Sequence, residues 1–148
     1  MNEDSLPSPQ LEQSETAPTR VDPTTSREFR SWLFALAGWL VPGLGHAMQK
    51  MWGRAFVVFA SVGLLVFAGA SMKGNVFSSN GGDAFDALGY IADLGTGVFY
   101  FVARAMESSG ADVSHAQGDY GTRFLATAGV LNLLAALHAY EAARGKKA

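Results

Sequence analysis

Cysteine is absent from this sequence. That excludes a disulfide framework, a zinc centre built on thiolates and a cysteine-linked lipid anchor. Charge is scarce as well. Asp, Glu, Lys and Arg make up 16% of the 148 residues, against about 25% in an ordinary soluble domain. The formal net charge is −2 and no basic cluster occurs, which argues against nucleic acid as a partner. Enzyme signatures are also missing. There is no His-Glu-x-x-His, no Gly-x-Ser-x-Gly and no phosphate-cradling glycine loop ending in Lys-Ser/Thr. No catalytic residue, no metal site and no cofactor is assigned on this basis.

What is present is unevenly spread. Residues 1–28 hold only Met1, Leu6, Leu11, Ala17 and Val21 as hydrophobic residues, with four prolines and six acidic residues against Arg20 and Arg27. So few apolar groups cannot offset the entropy of ordering, and the stretch reads as a disordered acidic tail. Its acidic start does not fit a signal peptide. The body, 29–148, is organised by gaps in charge. Residues 31–49, 55–72 and 124–140 contain no Asp, Glu, Lys or Arg, and 87–103 contain only Asp93. A bilayer core of about 30 Å takes roughly 20 helical residues. A soluble helix of that length would show a charged outer stripe, and these runs are apolar all round. Four such helices cannot all be buried in a soluble domain of this size. The expected fold is therefore all-α, an integral membrane bundle of about four transmembrane helices. The expected spans are 31–51, 54–72, 85–105 and 122–143, with the lipid bilayer as the first partner.

The first span carries the sharpest local signal. Pro42 removes a backbone donor and disfavours helix at Val41, and Gly43 and Gly45 loosen the backbone beyond it. Either 32–51 is one kinked crossing helix, which is favoured for its length, or 29–51 is a re-entrant hairpin. Counting Lys and Arg does not choose, since both topologies place seven on one side and four on the other.

The run Pro42-Gly43-Leu44-Gly45-His46, followed by Gly53-Arg54-Ala55 and a second apolar helix, resembles small bacterial multi-pass membrane proteins with a Pro-Gly-x-Gly-His hairpin. These are loosely similar to the TM2 domain. Gly118-Asp119-Tyr120-Gly121-Thr122 and Leu131-Asn132-Leu133-Leu134 bring the resemblance closer to one domain-of-unknown-function family, over roughly residues 30–145. Ala47 and Met48 depart from the aromatic residue that commonly follows the histidine. The resemblance implies an integral protein of the bacterial inner membrane. It supplies no catalytic residues.

Individual residues carry competing readings. His46 beside a broken helix suits a ligand, proton-relay or headgroup role, or simply a partner for carbonyls freed by the break. Asp93 either pairs with His46, Lys50 or Arg54, or lies near an interface. Ala128, Asn132, Ala135, Ala136 and Ala139 share one helix face suited to close packing. His138 and Glu141 are too few for a metal site, and Asp112, His115 and Asp119 form only a loose acidic loop. The expected function is a non-enzymatic membrane module, assembling with itself or with a membrane-protein partner through the Ala128–Ala139 face. The alternatives are a transporter or channel subunit using the Pro42–Gly45 break, and a lipid-modifying enzyme using His46 and Asp93.

Overall fold

The computed structural model describes residues 23–77, 84–107 and 116–145, and the tail 1–22 lies outside them. Six helices appear among these residues: α1 (Pro23–Leu40), α2 (Leu44–Met48), α3 (Trp52–Ser71), α4 (Ala84–Leu94), α5 (Val98–Met106) and α6 (Ala116–Ala143). Pro23 opens α1, where its missing N–H would be unpaired in any case. The first helix thus begins ahead of the boundary that composition alone draws at residue 28.

The expected spans 31–51 and 85–105 are not single helices. Both are interrupted, and both double back. In the first, Pro42 ends α1 and Gly43 turns the chain with φ +84°. The short α2 then folds against the helix it has just left. A Cβ on Gly45 would come within 3.3 Å of Gly38 Cα and 3.0 Å of Ala139 Cβ, so the approach requires glycine. α1 runs antiparallel to α6. Near its start Glu28 meets Arg144 at 3.0 Å and the rings of Trp32 and Tyr140 lie 5.1 Å apart, while near its end Trp39 meets Asn132. α2 returns along the same path, from the Trp39 level back to His138 and Ala139.

The second interruption is Gly95-Thr96-Gly97, where the charge pattern alone predicts uninterrupted helix. Gly97 adopts φ +63°, ψ −128°, a region essentially open only to glycine. The inner half of α4 and the outer end of α5 meet the same short segment after α3. Gly89 and Asp93 of α4 face Phe77, and Arg104 of α5 and Glu107 just beyond it bind Val76. The turn itself reaches the opposite hairpin, with Gly97 packed on the carbonyls of Trp39 and Leu40.

α3 and α6 form the long antiparallel pair between these hairpins. At one end Gly69 and Gly74 abut Gly121, and at the other Val57 and Arg54 face Ala135 and His138. Val62, Val66, Val76, Ala103, Leu125 and Ala128 form the core between α3, α5 and α6. α3 and α6 are the two helices among the described residues long and apolar enough to cross a membrane. The order hairpin then long helix therefore occurs twice, in opposite directions. The buried residues include Ser31, His46, Asp93, Thr96 and Asn132, whereas Trp52, Phe56, Phe67 and Phe101 are 64–73% exposed.

Candidate functional site: the hairpin junction and the histidine pocket

The two hairpin tips meet at Asn132. Breaking a helix leaves carbonyls without their usual donors. Asn132 Nδ2 donates to Trp39 O at 2.9 Å and to Gly95 O at 2.8 Å, one carbonyl from each interrupted helix. These two acceptors also settle the amide orientation, because a flipped group would set its oxygen against both carbonyls. Thr96 Oγ1 donates to Asp93 O at 2.6 Å and closes the second turn further. At each tip a carbonyl at the break, Trp39 O or Gly95 O, is thus bound within the chain. Asn132 Oδ1 is buried without a partner among the described residues.

His46 sits at the return end of the first hairpin, 2% exposed. Its partner is His138 of α6, with Nε2 and Nδ1 3.0 Å apart and rings inclined by 27°. One of these nitrogens carries the shared proton, and each ring keeps its other nitrogen for a third group. Gln49 locks the hairpin onto α6 beside them, donating to Gly45 O at 3.0 Å and Ala139 O at 2.9 Å. His46, His138, Arg54, Gly53, Val57 and Ala135 are among the residues lining a pocket of about 290 Å³.

Asp93 pairs with none of His46, Lys50 and Arg54. It binds the backbone, accepting from Phe77 N at 2.7 Å, and its Oδ1 is buried without a partner among the described residues. It belongs to a clamp on the extended segment after α3. Asn75 N donates to Thr122 Oγ1, Val76 N to Glu107 Oε1 and Phe77 N to Asp93 Oδ2, three consecutive donors taken by side chains from three places in the chain. Arg104 donates to Val76 O at 3.3 Å and pairs with Glu107 at 3.0 Å. The Gly118–Thr122 motif serves the same junction. Gly121 admits Gly69 and Gly74, Gly118 O accepts from Thr122 Oγ1, and the exposed Asp119 pairs with Arg123 at 2.7 Å.

The small-residue face of α6 packs inside the chain. Ala128, Asn132, Ala136 and Ala139 are buried against α1 to α4, and Ala135 borders the histidine pocket. The face that its small residues mark for a second copy is therefore already covered by the chain's own helices. Pro42, Gly43, Gly45 and His46 lie together in one hairpin, whereas length favours a single kinked crossing helix over 32–51.

Sequence reasoning missed Gln49 and Gly97 as site residues, weighed His138 only beside Glu141, and met Thr122 only as part of the Gly118–Thr122 motif. His46 and His138 are 92 positions apart, and no periodicity links them. Gly97 lies in a Gly-Thr-Gly in the middle of an apolar run, which without a proline is too weak a signal to mark a break. Among the described residues no three His, Cys, Asp or Glu converge as metal ligands. Asp112 and His115 lie outside those residues.

One protein family, described as a family of unknown function, has a model that matches residues 33–148. No curated protein and no solved structure matches the chain.

Proposed function

The chain is a member of that family, DUF6677, and from this premise we propose that it is a non-enzymatic module of the bacterial inner membrane. Two helices, α3 and α6, cross the bilayer. The two hairpins are re-entrant, entering from opposite sides and meeting at mid-depth. The observation that carries this reading is the inverted surface. The interior holds Val, Leu and Ala together with the polar Ser31, His46, Asp93, Thr96 and Asn132, while most of the large Trp, Phe and Leu side chains cover the outside, an apolar surface unlike that of a soluble fold. Irregular backbone at membrane depth is tolerated where protein satisfies it, and Asn132 does so for both tips.

Charge supports an orientation under this topology. Arg27, Arg30, Lys50, Arg54 and Arg144 gather at the end where the chain enters and leaves, against Lys73, Arg104 and Arg123 at the other. Arg20, Lys146 and Lys147 adjoin the richer end in sequence. The count, level for the two topologies weighed from sequence, favours that end as cytoplasmic here.

The module reading rests on the junction at Asn132, which binds one carbonyl of each tip within the chain. The enzyme reading loses its pair, since His46 and Asp93 each bind elsewhere. Association with a second copy or another membrane protein would use the outer apolar surface. A transporter or channel subunit is the second reading, favoured by one observation: two interrupted hairpins meeting in opposite directions, an arrangement that places substrate sites at mid-membrane in transporters. Liposomes containing the purified chain and loaded with potassium chloride and glycerol separate the two. The module reading expects release no faster than from empty liposomes, with Asn132→Ala changing only thermal stability. Protein-dependent release that Asn132→Ala alters would replace it with the transport reading.

A further inference from the structure

The histidine pocket lies at the proposed cytoplasmic face, and its lining has two characters. Most of it is apolar, with Val57 and Ala135 as walls, and the nitrogen-bearing side chains of Arg54, His46 and His138 border it. Arg54 has no ion-pair partner among the described residues. His46 is 2% exposed yet retains a ring nitrogen not used toward His138. A neutral imidazole pair sharing one hydrogen bond presents one further donor and one further acceptor, and on taking up a proton it presents two donors and a positive charge. α3 begins at the same rim. Its N-cap, Met51, supplies no side-chain acceptor, so the first N–H groups of a 20-residue helix remain open beside Arg54. Gly53, in that first turn, has nothing within 4 Å of where a Cβ would stand, leaving the backbone approachable. The remaining charged groups nearby are Lys50, at the end of α2, and Glu141, one turn beyond His138 on α6.

A guanidinium, an imidazole pair and an open helix start around an apolar-walled pocket suit a phosphate joined to a hydrocarbon body. We infer that this pocket binds the phosphate headgroup of an anionic phospholipid from the cytoplasmic leaflet, with Arg54, His46 and His138 holding the oxyanion and Val57 and Ala135 lying along the first carbons of the lipid. The occupant is a lipid rather than free phosphate because the walls between the nitrogen groups and the surrounding bilayer are apolar. This inference rests on the membrane reading above, and membrane insertion is scored separately by cysteine accessibility, so failure of one does not conceal failure of the other.

The test titrates the full chain in a neutral maltoside detergent with three probes: dioctanoyl phosphatidic acid, dioctanoylglycerol and inorganic phosphate. Thermal unfolding midpoints and Trp fluorescence report binding. Saturable stabilisation by the phosphatidic acid alone is expected, with affinity reduced about tenfold by Arg54→Gln, the effect of one charge-assisted hydrogen bond. His138→Gln is expected to weaken it as well. Should that variant fail to fold, Arg54→Gln decides alone, because Arg54 is exposed and bonded to no other described side chain. Equal stabilisation by dioctanoylglycerol would mean an apolar groove only and overturn the inference. Equal stabilisation by inorganic phosphate would overturn the lipid as occupant. Unchanged affinity in Arg54→Gln would mean that the arginine merely reaches for the interface, and would overturn the site.

Discussion

An asparagine side chain has two N–H donors, and in Asn132 both go to carbonyls that belong to different hairpins. Removing the side chain leaves two buried acceptors without donors. Each costs about 1–3 kcal/mol in a soluble core, and polar contacts between membrane helices are worth about 0.6–2. Asn132→Ala should therefore lower stability by about 2 kcal/mol, read as thermal unfolding in detergent. Asn132→Asp keeps the shape but loses the donors and sets oxygen against oxygen, so it should be worse than alanine. An aspartate variant as stable as the parent would sink this account. Lys50 and Lys73 make the opposite prediction. Both adopt φ near +60° after a helix end, and Met51 and Gly74 each bond back five residues in the manner of a Schellman cap. A lysine there bears backbone strain that glycine would not, so Lys73→Gly should raise stability by about 1 kcal/mol. Unfolding midpoints of Lys73→Gly and the parent, measured side by side, would show it. At this scale the sequence was partly legible. Asn132 stood out as a polar group in an apolar run, but its acceptors depend on where two distant turns meet, and His138 had no local feature to mark it.

At the scale of elements, the apolar runs were legible as buried or lipid-facing helix, but their direction was not. A run of about 20 apolar residues has the length to cross a bilayer whether it goes straight through or goes halfway and returns. What decides is backbone at single positions. Pro42 with Gly43 was strong enough to read as a break. Gly95-Thr96-Gly97 was not, because glycine also occurs within long apolar helices, as Gly63 and Gly69 do in α3. The packing of the second tip supplies a direct test. Gly97 lies at φ +63° with its missing Cβ directed at the Trp39 and Leu40 carbonyls, both of them backbone that cannot swing aside. Gly97→Ala should cost at least about 3 kcal/mol, combining backbone strain with overpacking. Gly53→Ala, in open space on α3, should be neutral or slightly stabilising through helix propensity. Equal unfolding midpoints for the two variants would show that the tips do not meet as described. The Asp93 clamp was illegible for a related reason. Three consecutive N–H groups after α3 draw acceptors from α4, the end of α5 and α6, and the donors are backbone, which carries no sequence signature.

Considered whole, the molecule sorts its charges, the buried Asp93 apart, into two belts. Between Arg54 of α3 and Lys73 just beyond it, and between Arg123 and Glu141 on α6, no charged residue occurs. The exposed Tyr120 and half-buried Tyr140 of α6 stand twenty positions apart, a rise of about 30 Å, which matches a hydrocarbon core with aromatic residues at both edges. If α3 and α6 are the crossing pair, the segments holding Ser79 and Ser109 lie on the same side of the membrane, opposite Ser14. Four crossing helices would instead place Ser79 with Ser14 and Ser109 across from both. A re-entrant first segment followed by three crossings would place Ser109 with Ser14 and Ser79 across. The chain has no native cysteine, so single cysteines at these three serines can be labelled in intact cells with a membrane-impermeant maleimide, then again after permeabilisation. Labelling of Ser79→Cys and Ser109→Cys in intact cells, with Ser14→Cys protected until permeabilisation, is the expected pattern. Each of the other topologies predicts a different one, and protection of either Ser79→Cys or Ser109→Cys alone would overturn the pair of opposed hairpins.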